Sequence, residues 1–361
     1  MDLTDLKFFD VFSGIGGFKI GLERAGFKSI GFCDNDKHAN ALYKAYFQNH
    51  EEIFCDDIRT IDTSKLPSFD IICGGFPCQA FSIAGKRRGF EDDRGDLFFD
   101  LVRVLKDKRP RYFLFENVKG LLNHDNRQTF ITVIKKLTDL GYRVQWQVLN
   151  SKFFGVPQSR ERVYIVGCLG DECVGKIFPI ASDSSENPRP ILRHPLSIKK
   201  SQGDRVYSTE GISPCLTSNG GGLGGKTGLY FINRIRFDQY KASNIVQTLM
   251  VGGDTPLVAV PVLTPSRVEK RQNGRRFKEN QDPMFTLTGQ DIHGIYDGSR
   301  VRKLTPLECF RLQAFPDDMV KKAYEIGISD SQLYKMAGNA VTVNVVEVVA
   351  NKLRRMVVNH G

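Results

Sequence analysis

Apolar positions in the first half of the chain fall into short runs, and the stretches between them repeat every three to four residues. KFFDVF (7–12), SIGFC (29–33), FDIIC (69–73), YFLFE (112–116), YRVQWQVLN (142–150) and RVYIVG (162–167) read as strands. GFKIGLERAGF (17–27), DKHANALYKAYF (36–47), LFFDLVRVLKDK (97–108) and TFITVIKKLTDLG (129–141) carry helical spacing between them. Repeated βα units of this length predict an α/β fold, a doubly wound and mostly parallel sheet with helices on both faces. In such sheets ligands bind beyond the carboxyl ends of the strands.

The pattern changes after about residue 170. DSSENPRP (183–190) is linker-like, and beyond it lies a Gly-rich, basic region of strands and turns. Three segments there look alike: SPCLTSNGGG (213–222), VQTLMVGGD (246–254) and MFTLTGQD (284–291), each pairing Leu with Thr ahead of glycine. Helical spacing returns in TPLECFRLQAF (305–315) and runs through QLYKMAGNAVTVNVVEVVANKLRRMV (332–357).

A chain of 361 residues with 41% hydrophobic content can build two domains with real cores. No apolar run is long enough to span a bilayer, and MDLTDLKFFDVF lacks a basic-then-apolar leader layout, so a cytoplasmic protein without a membrane partner is expected. The net charge is +10, and residues 191–320 hold 18 Lys/Arg against 12 Asp/Glu, which raises nucleic acid as a partner. Eight scattered cysteines with no CxxC pair match neither a zinc site nor a disulfide framework, so no metal is expected.

Candidate chemistry gathers at the ends of the predicted strands. DVFSGIGGFKIG (10–21) makes a glycine turn at Gly14 and Gly16, but Lys19 stands where the dinucleotide fingerprint needs its third glycine. A nucleoside without a pyrophosphate suits that turn better. Asp34 and Asp57 close the next two strands, where carboxylates can accept from ribose hydroxyls and an adenine amine. In GGFPCQAFSIAGKRRGF (74–90), Pro77 stiffens the backbone before Cys78, and Lys86, Arg87 and Arg88 follow. Cys78 reads as buried filler or as a nucleophile whose thiolate nearby cations stabilise. Glu116 ends an apolar strand, where burial can keep it protonated to donate to a ring nitrogen, or it caps the next segment. Arg160 and Arg162 share one face of an extended segment and suit a carbonyl oxygen or phosphate, or form surface charge.

These blocks, with FENVKGLL, LNSKFFGVPQSRERVYIVG and AGNAVTVNVVEVVA, resemble the bacterial DNA (cytosine-5) methyltransferases of restriction–modification systems, in that family's order from residue 7 to 350. The resemblance implies a Rossmann-like S-adenosyl-L-methionine-dependent methyltransferase acting on double-stranded DNA. By similarity, Cys78 attacks C6 of a flipped-out cytosine, Glu116 meets N3 and the exocyclic amine, and Arg162, with Arg160 nearby, holds the O2 side. The cofactor would lie against Phe12, Gly14, Gly16, Asp34, Asp57 and Pro77, with Asn339 closing the pocket. The resemblance further implies a discontinuous catalytic domain, 1–190 plus 319–361, and a smaller strand-rich target-recognition domain, 191–318. DNA contacts are expected at Lys86, Arg87 and the Thr-Leu units at Thr217, Thr248 and Thr286. A segment at about 232–300 exceeds what a minimal member needs, leaving one enlarged recognition element or several. The family's habits imply a monomer and a cognate restriction endonuclease in the same system. The rivals are an RNA cytosine methyltransferase of the same fold and a catalytically silent DNA-binding protein; the long basic region opposes the first, and the intact Cys78, Glu116, Arg160 and Arg162 oppose the second.

Overall fold

The computed structural model describes residues 6–77, 97–170, 177–180 and 301–358, with strand residues 212–213, 225–226, 228–229, 260–263, 282–283 and 291–296. Residues 1–149, 161–180 and 345–361 make one compact unit, and 150–160 with 181–344 make a second.

The first unit is built on a seven-stranded sheet. In chain order it contains β1 (Lys7–Val11), α1 (Gly17–Arg24), β2 (Lys28–Cys33), α2 (Lys37–Phe47), β3 (Ile53–Cys55), β4 (Ile71–Gly75), α3 (Leu97–Lys108), β5 (Tyr112–Val118), α4 (Gln128–Asp139), β6 (Tyr142–Asn150) and β7 (Glu161–Leu169). The strand order is β3-β2-β1-β4-β5-β7-β6. β1 pairs in parallel with β2 and β4, β2 with β3, and β4 with β5, while β7 runs antiparallel to β5. The mostly parallel sheet expected from the sequence is therefore present. The chain winds outward from β1 to β3, then returns to lay β4 on the other side of β1. That reversal makes a switch point between β1 and β4, the place where open α/β sheets take their ligands.

Helices cover both faces, which is why these strands read as unbroken apolar runs rather than alternating ones. On one face Phe9, Val11, Ile72, Phe113 and Phe115 join Phe98, Leu101, Val104 and Leu105 of α3 and Val133 and Leu137 of α4 in a single core. Each such side chain contributes about 1.5–3 kcal/mol when fully buried. On α1, a Cβ added at Gly21 would stand 2.7 Å from Val346, and Arg354 donates to the Ala25 carbonyl at 2.8 Å. Residues from 345 onward thus complete the unit that begins at the N-terminus.

The second unit contains an antiparallel set, β8 (Val260–Leu263), β9 (Asp291–Tyr296) and β10 (Val301–Lys303). Its helices are α5 (Pro306–Arg311), α6 (Asp317–Glu325) and α7 (Asp330–Asn339), and α8 (Val343–Val358) begins in it. Thr305 and Glu308 close a reciprocal capping box at the start of α5.

The single helix expected over 332–357 is two helices. The break at Ala340–Thr342 is fixed by a knot of buried polar groups. Arg160 donates to the carbonyls of Gly338 and Ala340 at 3.2 and 2.8 Å, and Thr342 donates to Gln313 Oε1 at 2.7 Å. Gln158 holds the Leu312 carbonyl, and the Val343 amide donates to the Gln313 carbonyl. These bonds also explain why 150–160 and 319–344 fall in the second unit, whereas the sequence placed both in the catalytic domain.

Candidate active site

The strand ends of the first unit assemble the site. Phe12 leaves β1 with φ of 57°, followed by Gly14 at 53° and Gly16 at 85°, where Gly16 caps α1. A bulky residue at positive φ is costly and marks a constrained turn. Among the described residues no side chain caps α1, which leaves its first amides for other partners. The turn is tied to the neighbouring strand: Ser13 N–H donates to the Cys33 carbonyl at 3.1 Å, and Gly14 N–H donates to Asp34 Oδ2 at 2.8 Å. Asp34 Oδ1 accepts from Asp36 N–H at 2.8 Å, so the carboxylate plane is set by two main-chain bonds.

Asp57 follows β3 and caps the 3-10 turn Ile58–Thr60. Arg59 donates to both of its oxygens, which holds the Asp57 carboxyl below the usual carboxylate range. Arg103 of α3 braces the turn from behind, donating to the carbonyls of Ile58 and Ile61 at 2.7 and 2.9 Å.

Gly74 and Gly75 close β4. A Cβ at Gly74 would meet the Val11 carbonyl oxygen at 2.0 Å, so only glycine lets the two strand ends approach. Phe76 packs against Phe98 and Phe115, and its carbonyl accepts from Asn117 Nδ2 at 2.8 Å in a buried bond. The backbone is therefore held two residues ahead of Cys78.

Glu116 lies beside that turn. Its Oε1 is 2.9 Å from Arg162 Nε, with both side chains about one-tenth exposed. The pairing follows from the β5–β7 register, in which Val118 faces Arg162 and Glu116 faces Tyr164. The carboxyl expected in apolar surroundings thus faces a guanidinium. Arg160, expected beside Arg162 at the base, spends its guanidinium on the carbonyls at the end of α7 within the second unit. Asn339 is the exposed last residue of α7 in that unit. Cys78, Lys86, Arg87, Thr217, Thr248 and Thr286 lie outside the described residues.

Among the described residues the cysteines make poor nucleophiles. Burial pushes the thiols of Cys33, Cys73 and Cys309 up, and Cys168 is disulfide-bonded. Among the described residues no His, Cys, Asp and Glu cluster could hold a metal, and no helix is long and apolar enough to cross a membrane.

Sequence reasoning passed over Asn117 and Arg103. Asn117 carried a signal, because an asparagine inside a buried strand is disfavoured unless its amide has a partner. Arg103 carried none: on an amphipathic helix it reads as solvated charge.

The donor set fits an adenosyl sulfonium cofactor. Two carboxylates stand at the ends of β2 and β3, the α1 amides are uncapped, and Ser13 Oγ is buried with no hydrogen-bond partner among the described residues. Among the described residues a Cβ at Gly14 would have nothing within 4 Å.

Comparison with known proteins agrees with this geometry. The C-5 cytosine-specific DNA methylase family matches residues 6–355. The orphan methyltransferase M.Rho11sI of Bacillus phage rho11s is 34% identical, covering 99% of each chain, and M.SPRI of Bacillus phage SPR is 36% identical, covering 98% of each. The type II methyltransferase M.HhaI of Haemophilus parahaemolyticus is 31% identical over 96% of this chain and 94% of its own. Among solved structures, the S. pombe Dnmt2 methyltransferase shares the fold at 16% identity with a TM-score of 0.56, covering 98% of this chain and 99% of its own. The chain belongs to the C-5 cytosine-specific DNA methylase family. It is a DNA cytosine methyltransferase that uses S-adenosyl-L-methionine.

Proposed function

We propose that methyl transfer runs through a covalent Cys78–C6 adduct on a cytosine turned out of the duplex. The observation that carries this reading is the pair of contacts at the end of β5: Asn117 holds the turn leading to Cys78, and Glu116, set by Arg162, stands beside it. The Cys78 thiolate adds to C6, and Glu116 steadies N3 and the exocyclic amine, so the ring's electron density moves to C5. S-adenosyl-L-methionine, when bound, supplies the methyl group there. A base then takes the C5 proton, and elimination re-forms the C5–C6 double bond and releases the thiolate. Arg162 orients Glu116 and faces the O2 side. Unstacking the base costs a few kcal/mol.

Asp34 and Asp57 receive the ribose hydroxyls and the adenine amine, while Phe12, Gly14, Gly16 and Pro77 shape the cofactor cleft. Arg160 acts indirectly, by fixing the break between α7 and α8. Residues 191–318 supply target recognition through Thr217, Thr248 and Thr286, with Lys86 and Arg87 contacting DNA from the loop after Cys78. The protein works as a monomer on cytoplasmic DNA. The type II names among its relatives support a cognate endonuclease in the same system, and the orphan phage relatives support use without one.

Bisulfite sequencing of DNA from cells expressing the chain, beside a Cys78→Ser version, tests the reading. Context-specific 5-methylcytosine that vanishes in the variant is expected. Methylation that survives the substitution rules out the covalent route, and two distinct contexts would indicate more than one recognition element.

A further inference from the structure

Lys19, three residues into the turn of α1, is buried, and its side chain is 3% exposed. Its ammonium bonds Glu52, whose side chain is 2% exposed, and reaches Glu23 Oε1 at 3.0 Å. It also lies 4.8 Å from the ring centre of Phe47 and 5.8 Å from that of Tyr43. The same two rings wall the cofactor turn: a Cβ on Gly16 would stand 2.5 Å from Phe47 Cε2 and 3.1 Å from Tyr43 Cε2. Ammonium, carboxylate, both rings and Gly16 are one packed body.

Such a pair is a poor device for stability alone. Desolvating two charges costs several kcal/mol per ion, and apolar side chains of similar volume commonly do as well or better. What a buried ion pair does supply is direction, because the ammonium must point at its carboxylate. Lys19 is thereby held against α2, and the Gly14–Gly16 turn is held in register with the Asp34 carboxylate that accepts the Gly14 amide.

We propose that Lys19, locked by Glu52, is a positioning residue for the cofactor turn. The proposal rests on the assignment of Gly14, Gly16 and Asp34 to the cofactor. Titration calorimetry with S-adenosylhomocysteine, needing neither DNA nor turnover, tests it on five forms: the parent, Lys19→Arg, Lys19→Met, the double variant Lys19→Met/Glu52→Gln, and Asp34→Ala. Lys19→Arg keeps the charge pair and is expected to bind within about threefold of the parent, Lys19→Met about tenfold or more weaker. The double variant removes the stranded carboxylate, so it regains the melting temperature lost by Lys19→Met yet still binds about tenfold weaker. A double variant that melts and binds like the parent overturns the proposal, as does a folded Lys19→Met of parental affinity. Should Lys19→Met not fold, the double variant decides. Parental affinity in Asp34→Ala would instead defeat the cofactor-turn assignment itself.

Discussion

Asp10 is the residue most at odds with its surroundings. It sits on β1 directly opposite Cys73, fully buried, with neither carboxyl oxygen hydrogen-bonded among the described residues. Burial pushes its carboxyl well above the ordinary 3.8, and the charge of Asp34 adds to the shift. The linkage follows from a raised folded value. Below pH 3.8 the group is protonated in both states; above it the unfolded chain ionises first, so stability drains away as pH rises toward the folded value. Asp10→Asn removes that slope. In urea melts from pH 4 upward the variant should gain on the parent by as much as about 1.4 kcal/mol per pH unit, and parallel curves would show that Asp10 is ionised in the fold. Asn117→Ala frees the Phe76 carbonyl. Single-turnover kinetics should show the methyl-transfer rate falling about 10²-fold, as expected for a nucleophile displaced by an ångström, with S-adenosylhomocysteine affinity unchanged. Glu116 and the glycine turn were legible in the chain because a special residue at a strand end stands out. Asn117 was not singled out beside Glu116, and Arg160's buried partners, Gly338 and Ala340, are far away in sequence.

Strands β1, β2, β4 and β5 were legible for a plain reason: a two-sided parallel sheet writes its strands as apolar runs, and period is local information, whereas the three-residue β3 was not read as a run of its own. The break between α7 and α8 was not, since VTVNVVEVVA continues a helical pattern and the interruption comes from Arg160 and Gln313. Helix α3 has a similarly hidden duty. Its apolar face enters the core, while Arg103 reaches across to the carbonyls of Ile58 and Ile61 after Asp57. Arg103→Leu keeps the stem's packing and removes the brace. Hydrogen exchange at 58–61 should quicken and S-adenosylhomocysteine affinity fall about fivefold, the loss of about 1 kcal/mol. Unchanged exchange would mean that Asp57 and Arg59 hold the turn without it.

At the scale of the whole molecule, the charge of +10 is a statement about association rather than fold. DNA affinity measured by fluorescence anisotropy should fall on the order of 10³-fold between about 50 and 200 mM salt, as released counterions require. A flat salt response would confine recognition to uncharged contacts. The division into units shows how the chain is threaded. The unit that begins with β1 is completed by residues from 345 onward, with Val346 filling the hollow at Gly21 and Arg354 seated on the Ala25 carbonyl. A ribosome making this chain delivers the seven strands of the first sheet, then residues 181–344 of the second unit, and only afterwards the bulk of the helix that covers α1. At ordinary rates of synthesis that interval is on the order of ten seconds. Throughout it the outer side of α1 lacks its cover, so the nascent chain completes the unit that begins with β1 only after the residues from 345 onward have been made.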